Sequence, residues 1–223
     1  MVYERCFICN KKSYQTTHYE SDVDFRTFPR GSDVDLDGRI HRRGRESGDF
    51  LNPFSSVHEC PYCGYVSNNL SDKTILSTNF FDSESYRNCN NIIFKSDLAK
   101  KCYKSYLIYK ESNKLIQSFF YIQYCAWACD DENDDENGII VRKIGITIIN
   151  EFLSLKGFNF KTHDEWLLIK FDWMRRMGDF ENLINEYENI SLEKIAHSEV
   201  FRFQLEKAKN RDSSCYSISD VYK

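Results

Sequence analysis

Two cysteine pairs carry the chemistry that is readable in this chain: Cys6-Phe7-Ile8-Cys9 near the start and Cys60-Pro61-Tyr62-Cys63 further on. A Cys-x-x-Cys turn presents two thiolates to one ion, and a structural zinc takes four soft ligands in a tetrahedron. In such a turn the backbone N–H groups after the first cysteine point at sulfur, and the residue after the second often needs positive φ. Gly64 adopts that conformation without strain, and Asn10, a residue tolerant of it, stands in the equivalent place after Cys9. This agreement predicts one site made of Cys6, Cys9, Cys60 and Cys63, holding one structural Zn2+.

Other uses of the same residues are open. His18, His41 or His58 could replace a thiolate, His58 foremost because it lies just before the second pair. An iron–sulfur cluster uses four thiolates too, and sequence does not separate it from zinc. A redox dithiol would sit between a strand and the helix of a βαβ unit, and neither pair does. Catalytic zinc keeps an open position and usually takes His or carboxylate ligands, so a full cysteine set argues for structure over chemistry. No nucleophile elbow, Gly-rich phosphate loop or acid/base constellation stands out, and we expect no enzyme.

Composition supports this reading. Nine cysteines cannot all pair within one chain. Met1–Cys6 shows no apolar signal region and no run of 18 apolar residues occurs, so the expectation is a cytoplasmic protein that does not enter membranes. A reducing compartment favours metal ligation or buried thiols over disulfides. Cys102, Cys125 and Cys129 fall on helical faces among Tyr, Phe and Leu and are expected as core thiols. Thirty basic against 34 acidic residues give a net charge of −4, which argues against a dedicated nucleic-acid binder without excluding a local basic patch.

The elements that must position the ligands divide the chain. Residues 1–70 hold all three prolines and little helical periodicity, with short strands expected at Gln15–Tyr19 and Ser56–Glu59. Fifty residues separate Cys9 from Cys60, far more than the spacer of a compact zinc ribbon. Within them Asp33–Arg45 alternates charge with turn residues. Residues 71–95 are transitional, 96–210 read as helices, and 211–223 as a frayed polar tail.

After Ser96 the helical period dominates. Leu98, Cys102, Tyr106 and Tyr109 mark a first stripe, and Leu115, Phe119, Ile122, Ala126 and Cys129 a second. The acidic run 130–138 is expected as a solvated loop, because the Asp-x-Asp-x-Asp-Gly spacing of a calcium loop is absent there. Ile140 to Leu155 form a third stripe. Thr162-His163-Asp164-Glu165 predicts a capping box opening a fourth helix that Gly178 closes. A fifth follows Asp179, and a sixth begins at Ser191 with Ile195, Val200, Phe203 and Leu205 as contacts. The expected class is mainly α: a small zinc-ribbon-like module followed by an antiparallel helical-hairpin array.

Cys6-x-x-Cys9, the Asp35–Arg39 stretch and Cys60-Pro61-x-Cys63-Gly64-Tyr65 together resemble a bacterial family of unknown function. In that family a split zinc-ribbon-like segment precedes a tetratricopeptide-like helical region, and Arg175-Arg176-Met177-Gly178-Asp179-Phe180 is similar to the turn of such a repeat. The resemblance implies the fold and the metal. It implies no activity.

Two functions follow as expectations. The first is a protein–protein interaction or scaffold protein whose metal-closed loop, through Asp35, Asp37, Arg39, Arg42, Arg43 and Arg45, offers a recognition surface. The alternative is a nucleic-acid binder using the basic cluster Arg39, Arg42, Arg43 and Arg45.

Overall fold

Apolar residues at three- and four-residue steps put most of the described chain into helix, while its short antiparallel strand pairs all fall before residue 68. The computed structural model describes residues 2–15, 32–42, 57–155, 162–190 and 196–223. No helix among them is long and apolar enough to cross a membrane. The chain gathers into two compact units, Met1–Val23 with Asn52–Val141, and Asp24–Leu51 with Arg142–Lys223. The expected segments 1–70 and 96–210 are therefore each shared between both units.

In the first unit, β1 (Val2–Arg5) pairs with β2 (Lys12–Gln15), and β5 (His58–Glu59) with β6 (Val66–Ser67). Of the strands expected at 15–19 and 56–59, the described parts are Gln15, closing β2, and His58–Glu59. The stretch 71–95 holds two short helices, α1 (Thr78–Asp82) and α2 (Glu84–Arg87). Their Phe81 and Tyr86 are buried together with Cys6, Cys60, Tyr65, Leu70 and Ile108. The long helices α3 (Asp97–Glu111) and α4 (Leu115–Asp131) pack along each other. Between them Cys102, Phe119, Ile122, Cys125 and Cys129 are fully buried, and the Cys125 thiol donates to the Ala99 carbonyl at 3.2 Å. These are core thiols, and burial pushes Cys102 and Cys125 well above the ordinary thiol range.

Helix ends repeat one solution. Asn113, Asn133, Gly178 and Arg211 all have positive φ. Each allows a backbone N–H to reach five residues back: Lys114 to Tyr109, Asp134 to Cys129, Asp179 to Met174 and Asp212 to Lys207, at 2.8–2.9 Å. Carbonyls that a helix end leaves bare are thus satisfied, and the chain can reverse within three residues. The acidic run is not a solvated loop. Helix α5 (Asp135–Ser154) begins inside it, with Asp135 and Glu136 in a first turn where negative charge complements the helix dipole. Asp134 is buried and accepts from the Lys95 backbone N–H at 3.0 Å and from Asn137 at 2.7 Å.

The second unit packs α6 (His163–Arg176), α7 (Phe180–Glu188) and α8 (Ser198–Lys209) around Leu167, Phe171, Met174, Leu183 and Phe201. The capping box is present as expected: Glu165 N–H donates to Thr162 Oγ1 at 3.2 Å, and Thr162 N–H to Glu165 Oε2 at 2.6 Å. Helix α8 starts at Ser198 rather than Ser191, after His197 in the left-handed region. Its buried face is Val200, Phe201, Gln204 and Ala208, so Phe203 and Leu205 are only partly covered. Ile195 lies outside the described residues. The hairpin of β3 (Ser32–Val34) and β4 (Ile40–Arg42) also belongs to this unit, as does the short C-terminal helix α9 (Ile218–Val221).

Candidate metal centre

Each cysteine pair forms the turn of one hairpin, and the two turns are built alike. Cys6 N–H donates to Lys11 O at 3.0 Å and Asn10 N–H to Cys6 O at 2.8 Å; Cys60 N–H donates to Tyr65 O at 2.8 Å and Gly64 N–H to Cys60 O at 2.9 Å. Asn10 has φ 56 and Gly64 has φ 73, the left-handed conformation expected of both. All four sulfurs lie within 4.8 Å of one another, with Cys6 to Cys63 at 3.5 Å and Cys9 to Cys60 at 3.6 Å. A tetrahedron with Zn–S bonds of about 2.3 Å places its sulfurs about 3.8 Å apart, so the donor set fits one ion. Among the described residues this is the one group of three or more His, Cys, Asp and Glu side chains close enough to hold a metal. His58 is not part of it; His18 and the side chain of His41 lie outside the described residues.

Backbone amides address the sulfurs. Burial pushes the Cys6 and Cys63 thiols up, against N–H donors from Ile8 and Cys9 in one turn and from Tyr65 in the other. At Cys9 burial also pushes upward, but the Lys11 N–H and the three neighbouring cysteine side chains outweigh it and bring the thiol below its ordinary value. The first thiolate offered to a cation is thus Cys9, on the less covered side of the cluster.

The turns are seated on helices of their own unit. Phe7 N–H donates to Leu70 O at 2.8 Å, and the Tyr86 hydroxyl to Gly64 O at 2.8 Å. Phe81 meets Tyr65 and Tyr86 edge to face at 5.3 and 5.2 Å. Lys104 of α3 reaches Glu59 at 2.5 Å, tying β5 to the helix. Sequence reasoning missed Phe81, Tyr86 and Lys104. A usable signal was the density of aromatics between 80 and 94, too rich for a linker.

The stretch expected as a recognition surface is engaged elsewhere. Asp35, Asp37 and Arg39 are only 7%, 0% and 8% exposed. Trp173 Nε1 and Arg176 Nη1 donate to Asp37 Oδ2 at 3.4 and 3.3 Å, and the Cys215 thiol to Asp35 at 3.5 Å. Asp33 accepts from both Ser217 and Ser219, and Leu36 N–H bonds Tyr216 O at 3.0 Å. The hairpin is therefore a clasp on the C-terminal segment. Arg42 pairs with Ser32 in the strand register, and Arg43 and Arg45 lie outside the described residues. Asp33-x-Asp35-x-Asp37-Gly38 has the spacing of a calcium-loop start, yet its carboxylates go to hydroxyl, thiol, indole and guanidinium partners instead of converging.

Beside the clasp, Arg175 is fully buried and uses its whole fork. It bonds Asp172 and Gln204 at 2.7 Å each, the Asp212 and Ser214 carbonyls at 3.0 and 2.6 Å, and lies 5.1 Å over the Tyr216 ring. Compared with known proteins, the chain matches no protein family, and no curated protein or solved structure is significantly similar to it.

Proposed function

We propose that the protein is a zinc-stabilised, non-enzymatic interaction protein, in which a zinc-ribbon-like pair of cysteine turns braces one unit and a tetratricopeptide-like helical unit receives a protein partner. The convergence of four cysteines on one point, with no position left for substrate, carries the metal half of this reading. A single ion suits the 4.8 Å envelope better than a cluster, whose extra irons and sulfides would spread the thiolates. Zinc binding by such a set displaces the thiol protons and adds its affinity to the folding free energy of the unit.

The partner half rests on an open groove of about 320 Å3 within the second unit, lined by Lys143 and Asn150 of α5, Lys170 and Met174 of α6, and Asn182 and Asn185 of α7. Amide side chains offer donor and acceptor together, which is what an extended peptide backbone requires, and Met adapts to varied side chains. Elemental analysis of the purified chain tests the metal: one equivalent of colourless zinc is expected, whereas a coloured iron protein or a metal-free chain counts against it. Crosslinking in the native cell tests the groove. Partners captured by the native chain should be lost from an Asn185→Arg variant, and an unchanged partner set refutes the groove.

A further inference from the structure

The first cysteine hairpin turns an aromatic and basic face to solvent. In β1–β2, Tyr3 and Arg5 alternate with Val2 and Glu4, and Arg5 stands opposite Lys12 in the register. Tyr3, Arg5 and Lys12 therefore share one side, while Glu4 and the buried Ser13 take the other. Tyr3 is 72% exposed. The two turns continue the face with Phe7 at 43% and Tyr62 at 57% exposure, one from each Cys-x-x-Cys. Lys11 joins them, its ammonium 4.7 Å from the centre of the Tyr62 ring. Arg5 is preset by donating through Nη1 to Asn10 O at 3.1 Å, which leaves its other N–H groups for a ligand.

Three large rings presented to water are costly for a face with no task, and three cations share it with no carboxylate on their side of the hairpin. A polyanion satisfies the cations. Of the polyanions, a single-stranded nucleic acid also supplies flat bases for the rings, stacked at a spacing that side chains on one hairpin can follow. We propose that this face, centred on Tyr62, Lys11 and Arg5, binds single-stranded nucleic acid without base specificity. It is distinct from the cluster Arg39–Arg45, whose first member is buried. It goes beyond the reading of the helical groove, because the two surfaces belong to different units.

The test is fluorescence anisotropy of the full, zinc-loaded chain with a labelled oligothymidylate of about 12 nucleotides, a length within the usual site size of such surfaces. Binding is expected at low salt, with log K falling against log salt at a slope of about −2 for three phosphate contacts. Tyr62→Ala should weaken it by about tenfold, as loss of one stacked base does. Arg5→Glu with Lys12→Glu should abolish it, while Ile93→Ser, an exposed site elsewhere, should leave it unchanged. Zinc content and circular dichroism report whether each variant remains folded, and the charge-reversal pair keeps the test decisive if Tyr62→Ala does not. No binding at low salt overturns the proposal. So does binding indifferent to these substitutions, or competition by polyglutamate as effective as by unlabelled oligonucleotide, which would make the face a site for acidic peptides.

Discussion

Gly64→Ala isolates the backbone conformation of the second cysteine turn from everything else about it. A Cβ there would lie 3.4 Å from Lys104 Nζ and 3.5 Å from Glu59 Oε1, ordinary contacts with the ends of flexible side chains. Steric cost is therefore minor, and the φ of +73 decides the effect. Holding an L-residue in the left-handed region costs roughly 1–2 kcal/mol. The turn forms with the metal, so that cost should appear as zinc affinity weakened by about 5- to 30-fold. Gly64→Asn should cost much less, because Asn10 already occupies the same position in the other turn at φ 56. Competition with a chromophoric chelator at neutral pH measures all three proteins on one scale. Equal affinity for the Gly and Ala forms, or an Asn form as weak as Ala, would refute the equivalence of the two turns.

Three further outcomes follow from the packing. Cys60→Ser should abolish stoichiometric zinc and deprotect α1, α2 and the start of α3 in hydrogen exchange, since Cys6 and Cys60 share a core with Phe81 and Tyr86; α6 to α8 should keep their protection. Arg175→Met leaves Asp172, Gln204 and two carbonyls without their donor and should cost about 3–5 kcal/mol in urea unfolding, of which a second change, Asp172→Asn, should restore part. Acid should release the C-terminal clasp. The Tyr216 hydroxyl and the Ser214 N–H hold Asp212 at about 2, and Lys223 with the Ser217 N–H does the same for Asp220. At Asp33 burial pushes upward, but the Ser219 and Ser217 hydroxyls outweigh it and keep it low. Folded values below the unfolded one mean stability fully present above about pH 4 and lost as pH falls toward 2. Hydrogen exchange of residues 212–222 should rise across that window and stay flat from pH 5 to 7.

What could be read from the sequence was whatever is local. Cys-x-x-Cys followed by Gly64 or Asn10 is a complete turn within five residues, and both turns formed as their chemistry dictates. Thr162 and Glu165 cap α6 for the same reason, the interaction spanning three residues. Missed features depend on distant partners. Asp33, Asp35 and Asp37 look like solvated charge until Trp173, Arg176, Cys215 and the Ser217–Ser219 hydroxyls, 136 to 186 residues away, are brought to them. In α8 two apolar registers compete, and tertiary packing chose Phe201 over Phe203. At 130–138 charge density masked a helix start, because acidic residues are favoured in a first turn as well as in loops.

The separation of the two cysteine pairs argues for the metal. Strands β5 and β6 exchange two residue pairs, and β1–β2 four, each a two-stranded ribbon too small to be stable alone in water. Bringing Cys9 and Cys60 together across 50 residues adds an entropy cost of about 3–4 kcal/mol if the intervening chain is free. Hydrogen bonds between such short strands do not offset this, whereas structural zinc in a small site contributes on the order of 10–16 kcal/mol. The intervening chain is not wholly free either, since residues 32–42 form a hairpin held by the second unit. A spacer that looked too long for a compact zinc turn is therefore compatible with one. Deleting the hairpin 32–42 while leaving both cysteine pairs should lower the stability of the second unit and preserve zinc binding, and loss of zinc with it would show that the ion alone does not close the loop.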